Sequence, residues 1–198
     1  MHYKTISLSV CISLIIIGIS GCIEQQPTDE NKISTKDISL DTIILKESDF
    51  PDIFIVLNEN YSKEPSIEEN PTGNELTWYI EERYDAMHRD INSTNGVMQS
   101  LLKLNSKENA TKLTVLTKEN LLSYGYTEYA IDPIGDESFL LTSEFNDTDM
   151  PYTYYMFIGS IDTIFIALGG STEERSTFIN YAKIIENRIQ NAVTDKGS

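Results

Sequence analysis

From Phe139 to Val193 the chain carries three short runs of alternating apolar residues and then one long helical stripe, and that order narrows the fold more than any other feature. Phe139, Leu141, Ser143 and Phe145 alternate in the first run; Tyr152, Tyr154, Met156 and Ile158 alternate in the second; Ile164, Ile166 and Leu168 belong to the third. Successive strand residues point to opposite faces, so each run predicts a β-strand with one buried face. Gly159-Ser160 reads as a tight hairpin turn between the second and third. Gly169-Gly170 then separates the last strand from a helix opened by a Ser171–Glu174 capping box. Phe178, Ala182, Ile185, Ile189 and Ala192 fall on one face of that helix, and meander and helix cover each other's apolar sides.

Upstream, Ser106 caps a helix over Lys107 to Ser123, with Leu113, Leu116 and Leu121 as contacts and Gly125 as terminator. Val97 to Leu104 reads as a strand, as does Asp52 to Tyr61 after a turn around Asp49-Phe50-Pro51. Leu76 to Met87 fits two periods: Leu76, Ile80, Tyr84 and Met87 make a helical face, while Leu76, Trp78 and Ile80 alternate as in a strand. Its first half is assigned to a strand. The order of elements predicts one α+β domain over residues 38–194, an antiparallel β-sheet with helices packed on one side, including a long C-terminal helix; residues 195–198 form a tail.

The N-terminus decides where this domain works. A short head containing Lys4 precedes an apolar run from Ile6 to Ile19. The run is too short for a spanning helix, which needs about 20 apolar residues, and suits the core of a secretory signal. It ends in Ile19-Ser20-Gly21-Cys22, which resembles the lipobox of prokaryotic lipoproteins: an aliphatic residue, two small ones, then cysteine. Residues 1–21 are therefore read as a signal peptide, and Cys22 as the lipidation site that holds the chain on the outer face of the cell membrane. An uncleaved hydrophobic anchor is the other reading. The polar stretch 22–37 is a tether, reaching roughly 20 Å as a flexible coil.

Of the two cysteines, Cys11 leaves with the signal and Cys22 is modified, so the domain is held by its core alone. All 31 Asp and Glu lie beyond Cys22, and the whole chain carries a net charge of −16. Such a surface repels nucleic acid and anionic headgroups, so no nucleic-acid partner is expected. The charges are spread along the sequence, which suits solubility better than capture of basic partners.

The helix opening Ser106-Lys107-Glu108-Asn109-Ala110, the meander entry Ile134-Gly135-Asp136-Glu137-Ser138 and the amphipathic last helix are similar to those of small exported lipoproteins of methanogenic archaea. More distantly they resemble the PsbP and Mog1-like α/β/α sandwich. The likeness covers Ile38 to Val193 on short motifs; it implies a fold and carries over no role, the photosynthetic one of PsbP included.

Catalytic chemistry finds little footing. The exported part has one histidine, His88, set among Asp85, Arg89 and Asp90 and read as an ordinary exposed side chain. There is no Gly-x-Ser-x-Gly elbow, no thiol to spare and no spacing for a zinc or copper site, so no catalytic residue, metal or cofactor is assigned. Asp136-Glu137 is a tempting carboxylate pair at a strand entry, where a turn or cap explains it. Asn146-Asp147-Thr148-Asp149 could offer oxygens to calcium but lacks the glycine and distal glutamate of an EF-hand loop. Asn60, Asn92, Asn109 and Asn146 each open an acceptor sequon for N-glycosylation. Tyrosines are plentiful, and an outward pair on the meander, Tyr155 and Phe157, is read as an interaction surface. The sequence thus predicts a membrane-anchored binding module for an envelope protein or small molecule. A structural envelope component or an extracytoplasmic hydrolase are the alternatives.

Overall fold

The computed structural model describes residues 35–51, 54–69, 77–92, 95–145, 152–171 and 174–195. The expected signal peptide, Cys22, the tether up to residue 34, the loop at Asn146 and the last three residues lie outside them.

The chain forms an α+β domain. Its strands are β1 (Phe54–Ser62), β2 (Ser66–Glu69), β3 (Thr77–Asp90), β4 (Gly96–Leu104), β5 (Thr127–Tyr129), β6 (Glu137–Phe145), β7 (Tyr152–Ile161) and β8 (Ile164–Ser171). They build one eight-stranded sheet in the order β1-β3-β4-β8-β7-β6-β5, every pair antiparallel, with β2 on the same edge of β3 as β1. Two helices pack on it, α1 (Lys107–Ser123) and α2 (Ser176–Asp195).

The helices lie on opposite faces, not on one side. Alternation along each strand supplies both. Tyr154, Met156 and Ile158 of β7, with Phe165 and Ala167 of β8, pack with Ala110, Leu113 and Leu121 of α1. Phe157, between them on β7, and Ile164, Ile166 and Leu168 of β8 pack with Phe178, Ala182, Ile185 and Ile189 of α2. A strand buried on both faces needs apolar residues at consecutive positions, which is what 156–158 and 164–168 provide.

Helix α1 begins and ends as its sequence predicts. The Ser106 hydroxyl accepts from Asn109 N–H at 3.1 Å, and Gly125 follows with φ of 88°, a conformation that costs a residue without Cβ little. Helix α2 starts later than expected. Ser171 is still paired with Gly96 and Tyr154 in the sheet, and those ladder bonds displace the capping role. The helix opens at Ser176, whose hydroxyl donates to Glu174 at 3.0 Å, and it runs through Asp195, one residue into the expected tail.

Two turn signals, Gly159-Ser160 and Gly169-Gly170, are also absorbed by strands. Gly159-Ser160 lies inside β7, and the turn is Asp162-Thr163, with Asp162 at φ of 51°. Aspartate tolerates that conformation better than most residues. Gly169-Gly170 lies inside β8, where a Cβ on Gly170 would fall 1.9 Å from the Gly96 carbonyl oxygen.

The ambiguous stretch is a strand throughout its described part, Thr77–Asp90. Its even-numbered residues are all buried, but a register shift between Ile80 and Glu82 sends them to different faces. Trp78 and Ile80 join the α1 core; Tyr84 and Ala86 join the α2 core. An apolar pair four apart that straddles such a bulge imitates a helical face.

The sequence of residues 35–50 predicts no element beyond tether and turn. They form three single 3-10 turns, Thr35–Asp37, Leu40–Thr42 and Glu47–Asp49. The segment is part of the core: Ile38, Leu40, Ile43, Leu45 and Phe50 are all buried. It covers the part of the α2 face formed by β3 and β4 and is pinned to α2 by Arg188, which donates to both Asp49 carboxylate oxygens at 2.8 Å and to the Ile44 carbonyl. Described structure begins at Thr35, inside the stretch 22–37 expected as tether. The Thr35 N–H and hydroxyl donate to the Asp162 carboxylate at 3.0 and 2.6 Å.

Candidate functional site

A segment without regular structure laid over a sheet brings backbone groups that no ladder satisfies. Inward-pointing side chains of β3 and β4 meet them. Gln99 Oε1 accepts from Leu45 N–H at 3.1 Å. Glu82 Oε1 accepts from Leu40 N–H at 3.0 Å, from the Ser39 hydroxyl at 2.8 Å and from the Tyr61 hydroxyl. The Lys103 ammonium donates to the carbonyls of Ile38, at 2.9 Å, and of Lys36.

Glu82 and Lys103 face each other across β3 and β4. Both are buried, 6 % and 7 % exposed. The bulge at Glu81 produces this placement: it turns Glu82 onto the face where Lys103 also points. Directly opposed charges ordinarily pair, yet here each takes its partners elsewhere, Lys103 from main-chain carbonyls and Glu82 from hydroxyls and an amide. Between them opens a cleft of about 280 Å³, lined by Asp37, Ile38, Ser39, Lys63, Glu81, Glu82 and Lys103. Burial, and secondarily the neighbouring Glu82, hold the Tyr61 hydroxyl above its ordinary pKa, so it stays protonated and donates. Lys63 lies over the Tyr61 ring, 5.4 Å from its centroid, at the rim. Opposite charges set apart in a small cleft can orient a polar solute; among the described residues no cluster of three metal-ligating side chains occurs.

The sequence-predicted sites fall elsewhere. His88 is not exposed. It is 2 % accessible and stacks on Phe50 with ring centroids 4.2 Å apart, because the alternation of β3 turns it inward. Burial pushes its pKa down, against the opposing pull of Glu59 and Glu47. Tyr155 and Phe157 do not form an outward pair: Phe157 is fully buried in the α2 core, and Tyr155 is half-buried with its ring 6.0 Å from that of Phe178. The face assigned to solvent is the one α2 covers. Asp136 closes a turn, accepting from Asp162 N–H at 2.6 Å and pairing with Lys107, and Glu137 enters β6. Asn60 and Asn92 are exposed; Asn109 is half-buried and donates to Asn105 at 2.7 Å; Cys22 and Asn146 lie outside the described residues. Glu82 and Lys103 escaped the sequence reading. Their one signal is charge at inward positions of alternating strands, and for Glu82 the bulge conceals which face is inward.

No family model matches the chain, and no curated protein matches its sequence. Among solved structures its fold is similar to that of the extracellular domain of PknH from Mycobacterium tuberculosis, with a TM-score of 0.53 and 8 % identity over 78 % of this chain and 94 % of that one. At that identity the likeness concerns the fold. No helix among the described residues is long and apolar enough to cross a membrane.

Proposed function

We propose that the chain is a lipid-anchored extracytoplasmic domain that binds a small polar solute between Glu82 and Lys103 and does not transform it. The ordered signal ending in Ile19-Ser20-Gly21-Cys22 supports the anchor, and the likeness to an extracellular domain agrees with the compartment. The observation that carries the binding role is the unpaired opposition of Glu82 and Lys103 at a cleft. Satisfying the backbone of the covering segment does not require full charges, since Gln99 does the same for Leu45 as a neutral amide. Burying a carboxylate and an ammonium costs several kcal/mol each unless partners compensate. Holding them apart is a poor way to stabilise a fold and a good way to prepare a site.

A panel of small solutes screened by thermal shift against the full chain in detergent tests this. A solute at one hundred times its Kd adds about 2.7 kcal/mol, a midpoint rise of roughly 5–11 °C for a domain of this size. Glu82→Gln keeps an acceptor for Leu40 and Tyr61 and should abolish the shift while leaving far-UV circular dichroism unchanged. A solute whose stabilisation survives both Glu82→Gln and Lys103→Gln would move the site out of the cleft. Solute turnover that Glu82→Gln abolishes would replace binding by catalysis.

A further inference from the structure

The cleft also restricts what can occupy it. On the binding reading above, we infer that its ligand is a free amino acid, a small zwitterion whose carboxylate meets Lys103 and whose ammonium meets Glu82.

The bonds within the domain leave one capacity over on each side. All three donors to Glu82 reach the same oxygen, Oε1, and none of these bonds uses Oε2. Lys103 donates to two carbonyls and, as an ammonium, has a third N–H. A ligand with one charge would engage one of these groups and leave the other desolvated beside an uncharged part of itself. Sites built to hydrogen-bond a group discriminate strongly against analogues that lack it, because buried polar atoms are then left unpaired. A ligand with both charges answers both groups. The rim adds charges of both signs, Lys63 as a second cation and Asp37 and Glu81 as further anions.

Size narrows the class. About 280 Å³ lies at the small end of ligand pockets, which run from roughly 300 to 1,000 Å³. That volume suits a molecule of amino-acid dimensions. Ile38 is the one apolar side chain in the lining, so the cleft offers no pocket for a large apolar side chain. Small or polar amino acids fit best.

The experiment compares a zwitterion with its halves. The full chain in detergent is titrated calorimetrically with glycine, L-serine, L-aspartate and β-alanine, and separately with acetate and methylamine. At least one of the four should bind ten-fold or more tightly than either half-molecule. Glu82→Gln should bring its affinity down to that of acetate, and Lys103→Gln to that of methylamine. The wild-type comparison decides the matter alone should the Lys103 variant fail to fold. If acetate or methylamine binds as tightly as the best amino acid, or none of the four binds, the inference is overturned. A neutral solute such as glycerol that binds and is lost in Glu82→Gln would overturn the zwitterion while leaving the cleft as the site. Binding of serine or glycine that neither variant weakens would overturn both.

Discussion

Lowering the pH below 6.5 should destabilise this domain through one residue, His88. Its side chain is 2 % exposed and stacked on Phe50, and burial holds its pKa below the ordinary 6.5. Below that pH the unfolded chain takes up a proton that the native state refuses. Stability is then highest above 6.5 and falls as pH drops toward the lowered native value. One proton corresponds to at most about 1.4 kcal/mol per pH unit, or roughly 3–6 °C of midpoint per unit for a domain of this size. Glu47 and Glu59 pull the other way, and burial outweighs them. Melting the wild type and His88→Phe from pH 7.5 to 5.5 isolates the effect. Phenylalanine can keep the stack on Phe50 and cannot titrate. The gap between the curves should be constant above pH 6.5 and should move in favour of the variant below it, whatever the many carboxylates do to both. Curves that stay parallel down to pH 5.5 would refute the assignment of His88 as a neutral buried ring.

Three further outcomes are expected. Arg188→Ala should cost about 1–3 kcal/mol in denaturant unfolding, since it removes a charged pair and a carbonyl bond from a partly buried clamp, and Arg188→Lys should recover less than half because an ammonium cannot grip both Asp49 oxygens. Phe157→Ala should cost about 3–5 kcal/mol, as a fully buried ring does, and Tyr155→Ser clearly less; near-neutral behaviour of both would return them to the surface. Cys22→Ser should abolish incorporation of labelled lipid and release the protein from the membrane fraction; unchanged labelling would place the anchor elsewhere.

The legible elements were those in which local signals agree. Helix α1 has a serine cap, apolar contacts and a terminating glycine, and it runs over the expected residues. The meander alternates, and its three strands are present. Misreadings arose where a local signal lost to pairing. Gly159-Ser160 resembles a turn in isolation, but Ser160 pairs with both Glu137 and Phe165, and the turn moves to Asp162. Ser171 can cap a helix, but two strands claim it. Faces were harder still. Alternation alone puts Tyr155 and Phe157 on one shared face, and period two does not tell what covers that face. The segment 35–50 has apolar residues but no period, since its shape comes from the sheet beneath it and from Arg188. The cleft was invisible for the same reason: one wall is that segment, and the other depends on a bulge.

The two faces of the sheet are built differently, and the difference bears on where function resides. Under α1, the buried set is Leu102, Leu104, Leu141, Met156, Ile158, Phe165 and their apolar neighbours. Beneath the segment 35–50 the sheet instead turns Glu82, Gln99, Lys103 and His88 inward, and the segment's own backbone bonds to the first three. Apolar burial is stabilising wherever it occurs, whereas each polar contact gains only about 1 kcal/mol net and is costly when left unmade. Both faces therefore supply cohesion, the covered one through Ile38, Leu40, Ile43, Leu45 and Phe50. The covered part of the other face adds to its apolar contacts polar ones that depend on geometry. Gln99 Nε2 and His88 Nε2 are buried without a partner there, as Trp78 Nε1 is on the α1 face. A solute engaging Glu82 and Lys103 would act on the residues that fix Lys36, Ile38 and Leu40. Those residues are the first of the domain after the stretch leading back to Cys22. On the proposed binding role, occupancy of the cleft would engage the same two side chains that hold the N-terminal segment.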